Sequence, residues 1–577
     1  MKRLLSLLTI AILATSILPM YAFETKAEVL SIPEIEDPTP GYYETSEYMI
    51  GSVAVGIIFV ESNGTIDPST EDWNSTEEQA VIEKIQYASN WWASQNPDAN
   101  VSFVLDVHYK VPTSYEPINR NTDTEMALWC SEVMNYLGYK NVNYRYEVGD
   151  YVNDFRSKLN TDWSFTIFVI DASNDKDGLF ADGWGAFSVG FLGASRNTIV
   201  VPVKTIDNLD WRVAHEMGHI FWATDEYNNK TEYKGYLNVS DIDGSGGIMN
   251  KFGSWEISGK PHGLNGTWGQ IGWRDSDNDG IQDIVDTPQR VYLNPHKIIG
   301  NKVNITGVAV VTPYPNKNLY SSQRNVTINK IEAVEFRINS GEWQNITTIT
   351  PWKFKKLVKY PDTYIEKETY AIVNYTFLTP ELSPGEHFIE IKATNQWGNS
   401  GYANLTVTIP ELVRDVAITS IKPYRTILAN ASSTSINVTV QNKGDTTETF
   451  NVTLFYNTSQ IGTQTITLLS KQSTILNFKW TTPTEIGNYT ITAIASQIPG
   501  ETSIDDNTLT YSLIQISITG DLNADGRVNI NDIYIVARAF QTNPGHERWN
   551  FNADLNEDGI INIQDIYVVA RDYGKSL

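Results

Sequence analysis

His215 and His219 stand four residues apart in Trp211-Arg-Val-Ala-His-Glu-Met-Gly-His219. On a helix that spacing puts both imidazoles on one face, where they can grip a single metal ion. Glu216 lies one residue round from the first imidazole, so its carboxylate sits beside the ion, free to hold and deprotonate a bound water. A catalytic zinc takes three protein ligands and keeps one position open, so a third donor is required. The next carboxylates along the chain are Asp225 and Glu226.

The whole stretch, His215-Glu-Met-Gly-His219 followed by Asp225-Glu226-Tyr227, resembles the metzincin metallopeptidases, and within them the IgA-peptidase-like group. Gly246-Gly-Ile-Met249-Asn resembles the Met-turn of that clan. The resemblance implies a zinc peptidase in which Asp225 is the third ligand, Glu226 the alternative, Glu216 the general base and Met249 the side chain lying beneath the ligands. Trp222 stands where the family has a Gly that turns the chain sharply out of the active-site helix. A Trp at positive φ is strained by about 1–2 kcal/mol, which predicts a turn built differently. No Tyr follows the Met-turn, where Phe252 stands, so the tyrosyl oxyanion stabiliser of some metzincins is missing or supplied by another residue. A thermolysin-like Glu ligand on a second helix fits worse, because Ser240–Gly247 is too rich in Gly to be helical.

Further oxygen ligands follow in a recognisable register. Asp275, Asp277, Asp279, Asp283 and Asp286 fall at positions 1, 3, 5, 9 and 12 of a loop, with Gly280 at 6 and the Ile281 carbonyl at 7. That is the pattern of a calcium loop, similar to thrombospondin type-3 or EF-hand-like loops. The tail repeats the register twice, 33 residues apart. The first copy has Asp521, Asn523, Asp525, Asn529 and Asp532 with the Arg527 carbonyl; the second has Asp554, Asn556, Asp558, Asn562 and Asp565 with the Ile560 carbonyl. An apolar helix pattern follows each copy. The pair resembles a type I dockerin, which implies calcium as cofactor and a cohesin domain as partner. Ile530-Asn531 and Ile563-Gln564 replace the hydroxyl pair common in cellulosomal dockerins.

A chain of 577 residues suggests roughly four domains. The net charge of −25, from 43 Lys+Arg against 68 Asp+Glu, argues against nucleic acid or an anionic membrane as partner. A single cysteine, Cys130, rules out an intramolecular disulfide. Residues 1–22 read as a signal peptide: Lys2 and Arg3, an apolar run from Leu4 to Leu18, and small residues near Ala22. No later stretch is apolar enough to span a bilayer. Asn-x-Ser/Thr sequons recurring from Asn63 to Asn488 agree with export to a secreted or cell-surface location.

The elements that must position these residues follow from the patterning. Residues 23–45, with Pro33, Pro38 and Pro40, read as a leader or short propeptide. From 46 to 290 the chain reads as an α/β metzincin-like catalytic domain ending at the calcium loop. Strands are expected at Val53–Val60, Val101–Val111, Phe165–Ile170, Ala186–Leu192 and Thr198–Val203. Helices are expected from a capping box at Ser75, over 123–137, over 150–159 and from about Asn208 through the histidines. Ala186–Gly193 is the candidate sheet edge to which a peptide substrate could add as a strand. Helix patterns vanish in 291–410 and 411–517, which read as two β-sandwich domains. The first, with Val334–Trp343 and Pro384–Gly398, resembles an Ig-like module; the second, with Ile436–Gly444, resembles a CARDB-type module. Residues 518–577 form the small α calcium-binding tail. The reading is a secreted zinc endopeptidase docked to a cohesin-bearing partner; the alternative is a surface adhesion or scaffold protein with a degenerate peptidase domain.

Overall fold

The computed structural model describes residues 34–190, 193–227, 230–241, 247–260 and 265–577. The expected signal peptide, the start of the leader, Phe191 and Leu192 of the expected edge, the Asn229 sequon and Gly246 of the Met-turn motif lie outside the described residues. The chain forms two compact units, one ending at Ile409 and the other running from Pro410 to Leu577.

The first unit is built on a five-stranded sheet. Its strands are β1 (Ser52–Ser62), β2 (Ser102–Thr113), β3 (Trp163–Asp171), β4 (Phe187–Gly190) and β5 (Arg196–Val203), in the order β2-β1-β3-β5-β4. β1 and β3 are nearly continuous apolar runs, as parallel strands covered on both faces must be. Neighbours among β2, β1, β3 and β5 are parallel, and β4 lies antiparallel to β5 at the edge. The helices α1 (Ser75–Gln95) and α4 (Leu209–Ile220) share one core with the sheet. On the other face α2 (Met126–Tyr136) and α3 (Tyr144–Leu159) share a second core, which buries Cys130.

Three local expectations shift. The cap of α1 is Asn74, one residue earlier than expected: its side chain accepts from the Thr76 and Glu77 amides while Glu77 returns to the Asn74 amide. α3 starts at Tyr144 and not at 150, because Asn143 caps it and Val148, Tyr151, Val152 and Phe155 form one buried stripe. The leader does not run to residue 45 as a loose segment. Tyr42 is buried, as are residues 44–50, and Arg156 donates to the carbonyls of Gly41 and Glu44, which anchors this stretch to α3.

A β-sandwich completes the first unit. One sheet contains Arg290–Leu293, Lys297–Ile299, Lys302–Val310, Thr348–Lys359 and Thr363–Leu378; the other contains Ile331–Ile338, Gln344–Asn345, Gly385–Asn395 and Ser400–Ile409. In the second unit a three-stranded sheet, Val416–Pro423, Ser433–Asn442 and Ser473–Thr481, packs over a five-stranded one around Val438, Leu454, Trp480 and Ile491. The tail follows with helices Ile530–Arg538 and Ile563–Arg571. Among the described residues no helix is long and apolar enough to cross a membrane.

Candidate metal centre

α4 carries His215, Glu216 and His219 into a nearly closed site, where they are 9%, 6% and 9% exposed. His215 Nδ1 lies 2.9 Å from the Ile248 carbonyl, and His219 Nδ1 lies 2.8 Å from the Ala223 carbonyl. A carbonyl can only accept, so each Nδ1 carries a proton and donates it. Each Nε2 of a neutral ring then presents its lone pair to the site. Asp225 Oδ1 is 3.2 Å from both Nε2 atoms. Three lone-pair donors held that close together repel unless a proton or a metal cation lies between them. Separations of 3.2 Å also fit the edges of a tetrahedron whose corners are about 2 Å from its centre, the reach of a zinc ligand. The donor set therefore fits a divalent transition metal.

Burial raises the Asp225 carboxyl, yet protonated His215 and His219 facing it would hold it well below the usual carboxylate range, the positive charge that a metal ion supplies when the rings are neutral. Burial pushes Glu216 up, against the pull of His219 and His215. Its Oε2 is buried and accepts no hydrogen bond among the described residues. A buried oxygen left without a donor is costly, and a water delivered to the site would satisfy it.

Asp225 reaches the histidines through a strained turn. Trp222 adopts φ 78, so the expectation of a differently built turn is overturned: the Trp takes the left-handed conformation itself. The surroundings enforce it. Trp222 is 5% exposed, its amide donates to the His219 carbonyl, and the Ala223 amide donates to the Gly218 carbonyl. These contacts offset a conformational cost of about 1–2 kcal/mol.

Glu226 points elsewhere. Its carboxylate accepts from Ser258 and, at 3.0 Å, from Thr267, and its amide donates to the Met249 carbonyl. Met249 is fully buried, and a Cβ added to Gly218 would stand 2.6 Å from its sulfur. The glycine, one residue before His219, thus opens the back of α4 to the thioether. Three nearby residues were given no role from the sequence. The Trp211 ring lies 5.2 Å from the His215 ring. The Tyr227 hydroxyl is pushed up to about 12 by burial and by Asp225, to which it is hydrogen bonded. Arg196, at the start of β5, is desolvated and faces Glu216, Asp225 and Glu232. Tyr227 sat inside the motif, whereas nothing in the sequence ties Arg196 to it.

In the 275–286 loop, oxygen atoms of Asp275, Asp277 and Asp279 lie within 4.8 Å of one another. Asp275 accepts from the Asn278 and Gly280 amides, which curls the loop around its own carboxylate. Asp283, expected as a ligand, is instead bound to Arg274 and Ser276. The nearby guanidinium supplies the counter-charge that an ion would otherwise supply. Asp286, expected at position 12, is raised by burial and by Asp279 and Asp277, as a carboxyl facing the cluster would be. The cluster centres on Asp275, with the Ile281 amide drawn in by Asp279.

The two tail loops are near copies. Asp521 Oδ2 and Asp554 Oδ2 each accept from a loop glycine amide, Gly526 and Gly559, at 2.9 Å. Asp532 and Asp565, both fully buried, each accept from two amides and close the loop. Asn523, Asp525, Asn556 and Asp558 line the solvent side with the Arg527 and Ile560 amides turned toward Asp525 and Asp558. Asn529 and Asn562, expected among the ligands, spend their side-chain oxygens capping the helices that follow. The second loop also meets the sandwich of its own unit: Tyr424 donates to Asp554 at 2.5 Å, Thr434 to Glu557 at 2.6 Å, and the Thr426 amide to Asn552 at 2.8 Å.

Residues 519–572 match the family model for the dockerin type I domain, and residues 413–504 match that for CARDB. The tail is a type I dockerin. The sandwich before it is a CARDB module. Type I dockerins bind calcium, and the buried, mutually repelling Asp554 and Asp565 fit that ion. Among solved structures, the chain is similar to a CARDB domain from Pyrococcus furiosus, crystallised with di-metal ions, at 23% identity. That match covers 18% of this chain and 96% of the other, with a TM-score of 0.17. It is also similar to a type II cohesin–X-dockerin complex from Acetivibrio cellulolyticus at 19% identity, covering 22% of this chain and 83% of the other, with a TM-score of 0.10. No curated protein matches the chain. The dockerin implies a cohesin-bearing partner, and dockerin and CARDB together point to an extracellular, cell-surface setting.

Proposed function

We propose that the chain is an exported zinc-dependent endopeptidase, of metzincin type, held by its dockerin to a cohesin-bearing partner. The observation that carries this reading is the convergence of His215 Nε2, His219 Nε2 and Asp225 Oδ1, with both Nδ1 atoms committed to carbonyls and the Glu216 carboxylate buried alongside. When bound, zinc polarises the scissile carbonyl and lowers the pKa of water to about 7. Glu216 takes the proton from the attacking water through its unpartnered Oε2 and passes it to the leaving nitrogen. An extended peptide lies along β4, whose outer edge is unpaired among the described residues, and so reaches the site as an added strand. Tyr227 donates its hydroxyl hydrogen to Asp225 and so orients the third ligand.

The purified full chain should contain one zinc that a chelator removes, and should cleave denatured protein only while loaded. Zinc without cleavage would support the scaffold alternative. The ligand assignment has its own test. Asp225→Ala should weaken zinc binding by about 10-fold or more, as loss of a ligand or of a ligand-orienting group does. Glu226→Ala should leave affinity nearly intact and lower stability, because it frees Ser258 and Thr267. The reverse order in metal titrations would move the assignment to Glu226.

A further inference from the structure

A cavity of about 350 Å³ lies within the first unit, where the N-terminal segment, α3 and the sandwich meet. Its walls are residues 39–41, the last turn of α3, residues 327–330 and the two long strands Thr348–Lys359 and Thr363–Leu378. The volume falls in the range of pockets that take small organic molecules, about 300–1,000 Å³. Ile328, Leu357 and Val358 give the cavity apolar surface, and Arg156, Lys330, Lys356 and Lys367 give it positive charge. It shares no residue with the histidine centre or with the acidic loops.

The charges do not balance. Lys356 is paired with Asp37, Lys330 lies 3.9 Å from Asp162, and the other lining acid, Glu368, lies 3.3 Å from Lys353. Arg156 and Lys367 are left over: among the described residues neither forms an ion pair. Arg156 is 9% exposed and donates only to neutral oxygens, the carbonyls of Gly41 and Glu44 and the Asn153 side chain. The carboxylates that act on it from farther off are engaged, Glu44 with Arg324 and Asp162 with Ser52 and Lys330. A buried charge without a counter-charge is costly. Burial accordingly pushes Arg156 down to about 10, and Lys367 is lowered by desolvation and then by Arg156 and Lys330.

We propose that this cavity binds a small organic anion, its carboxylate or phosphate oxygens between Arg156 and Lys367 and its body against Ile328, Leu357 and Val358. The oxyanion supplies the counter-charge that the lining lacks. Arg156 can receive it: a guanidinium has five N–H donors, and three of them are spent on the carbonyls of Gly41 and Glu44 and on Asn153, which leaves two. The apolar wall calls for a carbon-bearing body, since an inorganic ion would gain nothing from it. Because the walls come from three parts of the chain, the bound molecule ties the sandwich to α3 and to the N-terminal segment. The inference uses none of the residues of the histidine centre and stands whether or not that centre is a peptidase.

The test is calorimetric titration of the full chain, at fixed ionic strength, with D-glucuronate, D-glucose 6-phosphate and neutral D-glucose, three probes that share one sugar body. Wild type should bind one molecule of a charged sugar per chain and no glucose, and the tighter of the two charged sugars tells whether carboxylate or phosphate is the group recognised. Lys367→Gln should weaken that binding by about tenfold or more, because it removes a charged donor. Its fold is not at risk: Lys367 is exposed and has no ion-pair partner to lose, so without ligand the variant should melt at or above wild type, one repelling charge being relieved. Lys367→Glu, which places a carboxylate where the ligand's would lie, should abolish binding. Failure of wild type to bind either charged sugar would overturn the site. So would equal binding of glucose, or binding by Lys367→Glu as tight as by wild type.

Discussion

Glu216→Gln should keep its zinc and its fold and lose peptide hydrolysis by about 10²–10⁴-fold, the range that a positioned general base contributes. Glutamine has the same shape and one comparable carbonyl oxygen, so the contacts with α4 are preserved. Metal binding should survive because the gripping atoms are the two Nε2 atoms and Asp225 Oδ1, and Glu216 is not among them. The amide has no basic lone pair at neutral pH and cannot take the proton of the attacking water. Its burial strengthens the expectation: at 6% exposure, bulk water cannot substitute as base. Zinc analysis and cleavage assays on the same preparation separate the two effects. Activity within tenfold of wild type would remove Glu216 from the role, and loss of zinc would show that the residue shapes the site and does not act on water.

The histidine pair was legible because i,i+4 spacing on a helix needs no tertiary knowledge. For the third ligand the resemblance named Asp225 and left Glu226 open, since the choice depends on one backbone angle. Trp222 disfavours a left-handed turn by its own chemistry, and only its buried surroundings and the amides of Trp222 and Ala223 decide the issue. Once that turn is made, Asp225 swings toward the imidazoles, and Glu226 is drawn to Ser258 and Thr267 on a different loop. The tail was legible for another reason: its ligands are local and repeated, so sequence register and loop geometry nearly coincide. Even there Asn529 and Asn562, read among the ligands, turn out also to cap the helices that follow, because a side chain two residues before a helical amide serves that amide.

The dockerin should fold only with calcium, and its dependence should extend to the sandwich it touches. Its core is small, formed by Leu522, Val528, Val536, Ala539, Ala553, Ile561 and Val569. A segment of that size without disulfides is in the range where a metal is usually required. Calcium at 1,000 times its dissociation constant contributes about 4 kcal/mol per site through mass action, comparable to the whole stability of a small domain. In the full chain, hydrogen exchange of Ile530–Arg538 and Ile563–Arg571 should be slow in calcium and fast in chelator, while the first unit's α4 keeps its protection. Asp532→Ala with Asp565→Ala should make the exchange fast in both media. Each aspartate closes a loop on two amides and caps the following helix, so about 1 kcal/mol of capping is lost at each in addition to the ion. Because Tyr424 and Thr434 hold Asp554 and Glu557, amides of the CARDB module near these two residues should lose protection along with the second loop. Slow exchange of both tail helices in chelator would refute calcium-dependent folding. Fast tail exchange with unchanged protection around Tyr424 would limit the effect to the dockerin and show that the contact adds nothing to either side.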